Sequence, residues 1–175
     1  AARFPRSYQR LVNSKEGFVT SVEQGLSAER VVATLKQIGI THVVWLPDSV
    51  ATFMYQALAA EPDLTLVPVC REAETMAIAL GLMMGGKEPI CLIQNTGFME
   101  SGDSIRGLVL EAKAPMLLMI GYKGWKGGAP MSDSSGVYLE PLLKAWGLSY
   151  HIMDSNDDIG MIAAGDMRSA NGPNC

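Results

Sequence analysis

Three short polar clusters in this chain could do chemistry, and each follows an apolar run: Pro47-Asp48-Ser49, Arg71-Glu72 and Gln94-Asn95-Thr96-Gly97. Glu72 stands out because of what comes after it. Met76, Ala77, Ile78, Ala79, Leu80, Leu82, Met83 and Met84 leave almost no polar face, and a helix that is apolar all round is a buried one. In a chain of this size, burial on every side predicts a subunit interface as well as packing on a sheet. A carboxylate opening such a helix is desolvated, which favours a carboxyl able to keep or share a proton, as general acid–base work requires. Glu72 also suits a plain helix start, where the dipole favours negative charge, and Glu74 competes for the chemical role. Asp48 reads equally as an N-cap or turn residue beside Ser49, and Gln94, Asn95 and Thr96 read equally as loop polar groups. Lys123 and Lys126 make the Tyr122 to Gly128 stretch cationic, suited to an anionic substrate group or to solvent.

The elements that must position these residues are read from periodicity. Ser27 caps a helix with Val31, Val32, Leu35 and Ile38 on one face, ended by Gly39. His42 to Leu46 is a short apolar strand. A helix with Val50, Phe53, Met54 and Leu58 on its inner side follows, then a strand over Leu64 to Val69. The Glu72 helix runs to about Met84, where Gly85 and Gly86 break it. Pro89 to Ile93 is a strand, Gln94 to Gly102 a loop, Asp103 to Ala112 a helix, and Pro115 to Ile120 a strand. Tyr122 to Gly136 is glycine-rich loop, Tyr138 to Trp146 a helix, and Ser149 to Met153 a last strand. Apolar strands alternating with helices predict an α/β fold: a single domain with a central, mostly parallel sheet covered by helices on both faces. In such sheets ligands bind beyond the carboxyl ends of the strands, so the three polar clusters should converge on one rim.

The chain has 175 residues, 48% hydrophobic and 18% charged, with a net charge of −4, which suits one globular domain and does not suggest a nucleic-acid partner. No apolar run reaches the length of a membrane span, and Arg3, Arg6 and Arg10 precede no apolar leader segment. Cys70, Cys91 and Cys175 have no metal-ligand spacing. Cys70 and Cys91 are expected as buried thiols in a reducing, cytoplasmic setting. His42 and His151 lie in or beside strands and read as structural. The expected organisation is an extension over residues 1–24, the domain over 25–155 and an irregular tail over 156–175.

Leu46-Pro47-Asp48-Ser49, Arg71 to Leu82, Gln94-Asn95-Thr96-Gly97 with Ser101, the strand Pro115 to Gly121, Glu140-Pro141-Leu142-Leu143 and Ala145-Trp146-Gly147 together resemble the pyrimidine-binding (PYR) domain of thiamine-diphosphate enzymes. Within that group the chain is most similar to the sulfopyruvate and phosphonopyruvate decarboxylases, over roughly residues 25–153. The resemblance implies that Glu72 hydrogen-bonds N1′ of the aminopyrimidine and so promotes loss of the thiazolium C2 proton. It implies that Gln94, Asn95, Thr96 and Gly97 cover the pyrimidine, that Asp48 lies near the substrate as a proton relay, and that Ser49, Lys123 and Lys126 face an anionic tail. Register counted back from Gly81 favours Glu72 over Glu74, which is expected to face solvent or a partner. The family's Gly-Asp-Gly segment, which holds the diphosphate through a divalent metal, is absent; Gly102-Asp103-Ser104 and Gly165-Asp166-Met167 are near misses. The expectation is therefore an alpha-type subunit that takes thiamine diphosphate and Mg2+ together with a beta-type partner, in a homo- or hetero-oligomer. Its substrate would be a small anionic 2-oxo acid, with no metal held by this chain alone. Ala129-Pro130-Met131-Ser132-Asp133-Ser134-Ser135 departs from the acidic or His-bearing segment of the decarboxylases, which leaves sulfopyruvate and phosphonopyruvate open. The tail leaves open a non-catalytic PYR-like assembly or regulatory module.

Overall fold

The computed structural model describes residues 25–127 and 132–165. The expected extension 1–24, the middle of the glycine-rich loop at 128–131 and the end of the tail with Cys175 lie outside the described residues. Helix α1 (Ala28–Gln37) begins where Ser27 accepts a hydrogen bond from the Arg30 N–H at 3.2 Å and ends before Gly39, whose φ of +83° suits glycine. Then come β1 (His42–Trp45), a 3-10 turn (Thr52–Met54) leading into α2 (Tyr55–Ala60), β2 (Thr65–Pro68) and α3 (Ala73–Met84). After β3 (Pro89–Gln94) the chain forms α4 (Asn95–Glu100), a helical turn Gly102–Ser104 and a π-helix Ile105–Glu111. It closes with β4 (Leu117–Gly121), α5 (Ser134–Ala145), a 3-10 stretch (Asn156–Gly160) and α6 (Met161–Gly165).

The four strands lie in the order β2-β1-β3-β4, and every pairing is parallel. Successive side chains of a strand alternate between faces, so each inner strand serves two cores. Val43 and Trp45 of β1 and Ile90 and Leu92 of β3 pack with Val31, Leu35, Met54, Leu58, Ile159 and Ile162. Val44, Cys91 and Ile93 pack on the other face with Met76, Ala79, Phe98, Ile105, Leu139 and Leu143. The Val, Leu, Ile, Met and Phe side chains among these each contribute about 1.5–3 kcal/mol on leaving water. Both faces are covered, as the strand–helix alternation predicts. From β1 the chain proceeds to one side of the sheet and from β3 to the other. The carboxyl ends of β1 and β3 therefore form the switch point at which such sheets bind ligands.

Several expectations need correction. Gln94 to Gly102 is not a loop: Gln94 completes β3 and Asn95–Glu100 is helical, anchored by the fully buried Phe98 against Trp146 with ring centroids 5.6 Å apart. Asp103 to Ala112 winds mostly as a π-helix rather than an α-helix. Helix α5 starts four residues before Tyr138, because Asp133 caps it by accepting from the Ser135 N–H at 2.9 Å. Ser149 to Met153 forms no strand. Cys70 is exposed, since β2 ends at Pro68 and leaves it on the crossover; Cys91 is buried, and burial pushes its thiol up to about 12. Among the described residues α3 is covered on one side only: Thr75, Met76 and Ala79 face inward, while Met84 is 83% exposed. Residues 156–165 are ordered against α1, with the Ser27 N–H donating to Asn156 Oδ1 at 2.7 Å and Ile159 and Ile162 buried.

Candidate functional site

The parallel register brings the carboxyl ends of all four strands to one rim, and the three polar clusters lie there. After β1, Asp48 turns the chain. Its Oδ1 accepts from the Val50 and Ala51 N–H groups at 2.7 and 2.9 Å, so it caps the segment that follows. Its Oδ2 is buried, with no hydrogen-bond partner among the described residues. Such an atom is where an incoming hydrogen-bond donor is favoured. Gly121, at the end of β4, lies alongside: a β-carbon there would stand 3.2 Å from Val50 Cβ and 3.5 Å from Asp48 Oδ1.

From β3, the Gln94 amide crosses the switch point. Its Nε2 reaches Asp48 Oδ1 at 3.4 Å and Ser49 Oγ at 3.3 Å, and its Oε1 accepts from Thr96 Oγ1 at 3.0 Å. Asn95 is fully buried and wholly committed to the backbone: Oδ1 accepts from the Thr96 N–H at 3.0 Å, and Nδ2 donates to the Lys123 carbonyl at 2.9 Å. The rims of β1, β3 and β4 are thus tied by one chain of hydrogen bonds.

Glu72 enters from the crossover after β2. It is half-buried and occupies the N-cap position of α3, yet its side chain makes no capping hydrogen bond. Instead it lies flat over α4. A β-carbon built on Gly97 would fall 2.2 Å from Glu72 Cγ and 2.6 Å from its Oε1. Only glycine at 97 leaves room for this carboxylate. Glu74 is exposed, as expected, and its Oε2 accepts from the Cys70 and Arg71 N–H groups at 3.1 and 3.2 Å. That backbone duty separates it from Glu72.

The cationic loop is partly engaged. Lys123 Nζ pairs with Asp133 Oδ2 at 3.3 Å, whereas Lys126 is exposed. Tyr122 stacks on Trp125 with centroids 5.2 Å apart, and its hydroxyl donates to Glu140 Oε1 at 3.2 Å. Tyr150 donates to Glu140 Oε2 at 2.5 Å. Burial, with the Glu140 charge beside it, pushes the Tyr122 phenol up to about 12. The Tyr150 hydroxyl, with smaller help from Tyr122 and against a desolvation penalty, holds the Glu140 carboxyl below its ordinary range. The sequence pattern had offered Glu140 only as part of a motif. Its grip on the loop, like the contact between Glu72 and Gly97, comes from residues far apart in the chain and has no local signal.

The rim offers a carboxylate on a glycine cradle, a carboxylate oxygen without a partner and a side-chain amide. This set suits a flat heterocycle with ring nitrogens and an amino group. No group of three or more His, Cys, Asp or Glu residues among the described residues could hold a metal ion, and no described helix is long and apolar enough to cross a membrane.

The family model of the thiamine pyrophosphate enzyme N-terminal TPP-binding domain matches residues 27–123. Sulfopyruvate decarboxylase subunit alpha of Methanothermobacter thermautotrophicus is 30% identical over 121 residues, covering 66% of this chain and 73% of that protein. Sulfopyruvate decarboxylase of Methanosarcina acetivorans is 26% identical over 136 residues, 77% of this chain and 34% of that protein. Phosphonopyruvate decarboxylase of Streptomyces viridochromogenes is 26% identical over 102 residues, 58% of this chain and 26% of that protein. The chain thus spans about a third or less of the two longer relatives and about three quarters of the alpha subunit. It belongs to the family of thiamine pyrophosphate enzyme N-terminal domains.

Proposed function

We propose that this chain is the pyrimidine-binding part of a thiamine-diphosphate-dependent 2-oxo acid decarboxylase, acting on sulfopyruvate to give sulfoacetaldehyde and carbon dioxide. The observation that carries the reading is the Glu72 carboxylate, free of capping duty and laid over Gly97 at the ligand rim. Thiamine diphosphate, when bound, supplies the electron sink that decarboxylation of a 2-oxo acid needs. The residues of this chain do the rest. Glu72 shares a proton with N1′ of the aminopyrimidine. Gln94, Thr96 and Gly97 line the ring, and Asn95 fixes the junction of β3 and α4 from beneath. Asp48 keeps its turn through Oδ1 and relays a proton through Oδ2 to the substrate after carbon dioxide leaves. Ser49, Lys123 and Lys126 serve the anionic tail of the substrate, Lys123 exchanging its Asp133 partner for it.

The diphosphate and its Mg2+ are held by a Gly-Asp-Gly segment outside these residues, on a beta-type partner subunit. The uncovered side of α3, with Ala77, Gly81 and Met84 exposed, is the contact with that partner, and the assembly is cytoplasmic. Relatives named for sulfopyruvate decarboxylase support the substrate, and those named for phosphonopyruvate decarboxylase make its phosphonate analogue the second substrate to try.

The test is co-purification of the chain with its partner, then assay of cofactor-dependent carbon dioxide release from sulfopyruvate and from phosphonopyruvate. Glu72→Gln should lower turnover by roughly 10²–10⁴-fold, the range of a lost general acid–base contribution, with the complex intact. An unchanged rate in that variant refutes the reading.

A further inference from the structure

We propose that Glu100 is a positioning residue that keeps the Glu72 carboxylate available to the cofactor, by taking over both the helix start and the cation beside it. The inference rests on the function proposed above. A helix start leaves backbone N–H groups without partners, and the N-cap side chain ordinarily supplies an acceptor. At α3 the N-cap residue is Glu72, and it supplies none. Glu100, from the last position of α4, does so instead: its Oε2 accepts from the Ala73 N–H at 3.2 Å. Its other oxygen, Oε1, accepts from Arg71 Nε at 2.8 Å and also from Nη2 of the same guanidinium.

Arg71 directly precedes Glu72, so its guanidinium is a standing competitor for the Glu72 carboxylate. Glu100 draws that charge away and is itself held below the ordinary carboxylate range, chiefly by the Arg71 hydrogen bond. The same short helix carries Gly97 three residues earlier. One element therefore provides both the bed on which Glu72 lies and the group that occupies its competitor. The Arg71 side chain is 69% exposed, and exposed ion pairs add little to stability. The pair's importance is accordingly expected in the placement of Glu72 rather than in the melting temperature.

The experiment is titration of thiamine diphosphate into the complex of this chain with its partner, followed by tryptophan fluorescence and accompanied by melting curves. Glu72→Gln sets the scale. Glu100→Ala should weaken cofactor binding about tenfold, a coupling in the range found for neighbouring charged groups, with melting little changed. The double variant Arg71→Ala with Glu100→Ala should recover most of that loss, because the released guanidinium is gone. A purely structural Glu100 gives the opposite order, with the double variant no better than the single one, and that result overturns the proposal. So does wild-type affinity in Glu100→Ala while Glu72→Gln is weakened. If Glu72→Gln itself binds normally, the proposed function falls and takes this inference with it. Glu100→Gln keeps an acceptor for Ala73 but frees Arg71, and carries the same test should the alanine variant not fold.

Discussion

The turn after β1 and the start of α3 each place one acidic residue at the head of a helical segment on the same rim, and they solve the same problem differently. Asp48 caps its own segment with Oδ1 and leaves Oδ2 buried without a partner. Glu72 does no capping, because Glu100 and Glu74 satisfy the N–H groups around it. In the function proposed, the first divides one carboxylate between structure and chemistry. The second delegates the structure to neighbours. A short aspartate tethered at one oxygen has few positions open to the other, which suits a proton relay at a fixed point. A longer glutamate freed at both oxygens can follow a ring nitrogen.

Substitutions at the two places can break the comparison. After Glu72 itself, the largest effect is expected at Gly97, on the delegated side. Its φ lies outside the positive range, so alanine suits the backbone of α4, but the new β-carbon would stand 2.2 Å from Glu72 Cγ. Gly97→Ala should therefore drive the glutamate off its bed and lower turnover roughly 100-fold, in keeping with the cost of misplacing a reacting group. Thermal melting should hold or rise slightly, since alanine favours a helix over glycine. A variant with full activity would show that Glu72 works from elsewhere.

At Asp48 the two duties can be separated. Asp48→Asn keeps a good cap and should melt like the parent while losing about tenfold or more in turnover. Asp48→Ala should add a stability loss of about 1 kcal/mol from the missing cap. Equal stability of the two variants, measured by denaturant titration, would remove the division of labour assigned to the two oxygens.

The smallest effect concerns the Glu140 clamp on the Tyr122 loop. A carboxyl whose folded-state value is depressed contributes stability above its unfolded value and loses it as pH falls through the folded one. Glu140→Gln should thus melt below the parent at neutral pH, with the gap closing as pH drops beneath the ordinary carboxylate range. A gap independent of pH would assign the clamp to packing instead.

Much of this architecture is legible in the sequence, because strands of a covered parallel sheet read as short apolar runs; β1 to β4 are found within a few residues of their expected places, and the fifth, expected over Ser149 to Met153, does not form. The rim follows from topology alone: Asp48 and Gln94 share a hydrogen bond there, and Glu72 lies over Gly97 at the head of α4. What escapes is local helix made of poor helix formers. Asn95-Thr96-Gly97 reads as loop by composition, and becomes helical because Phe98 and Ile105 are drawn into the core. Ser134-Ser135-Gly136 becomes helical because Asp133 caps it. Tertiary contact overrides propensity in both cases. The uncovered side of α3 shows the reverse limit: an apolar helix signals burial, but the sequence does not say by which chain. Glu100 illustrates a third, since a carboxylate serving a helix 27 residues away leaves no periodic trace.

The buried Asn95 amide, gripping the Lys123 carbonyl from below, has a thermodynamic consequence. Loops that must be ordered by their ligand take that entropy out of the binding free energy. Here the β3 and β4 margins are already fastened to one another by that bond, so a ligand of the proposed site would have less of that ordering left to do. In the function proposed, selectivity would then reside in shape held in advance rather than in margins that close on the ligand.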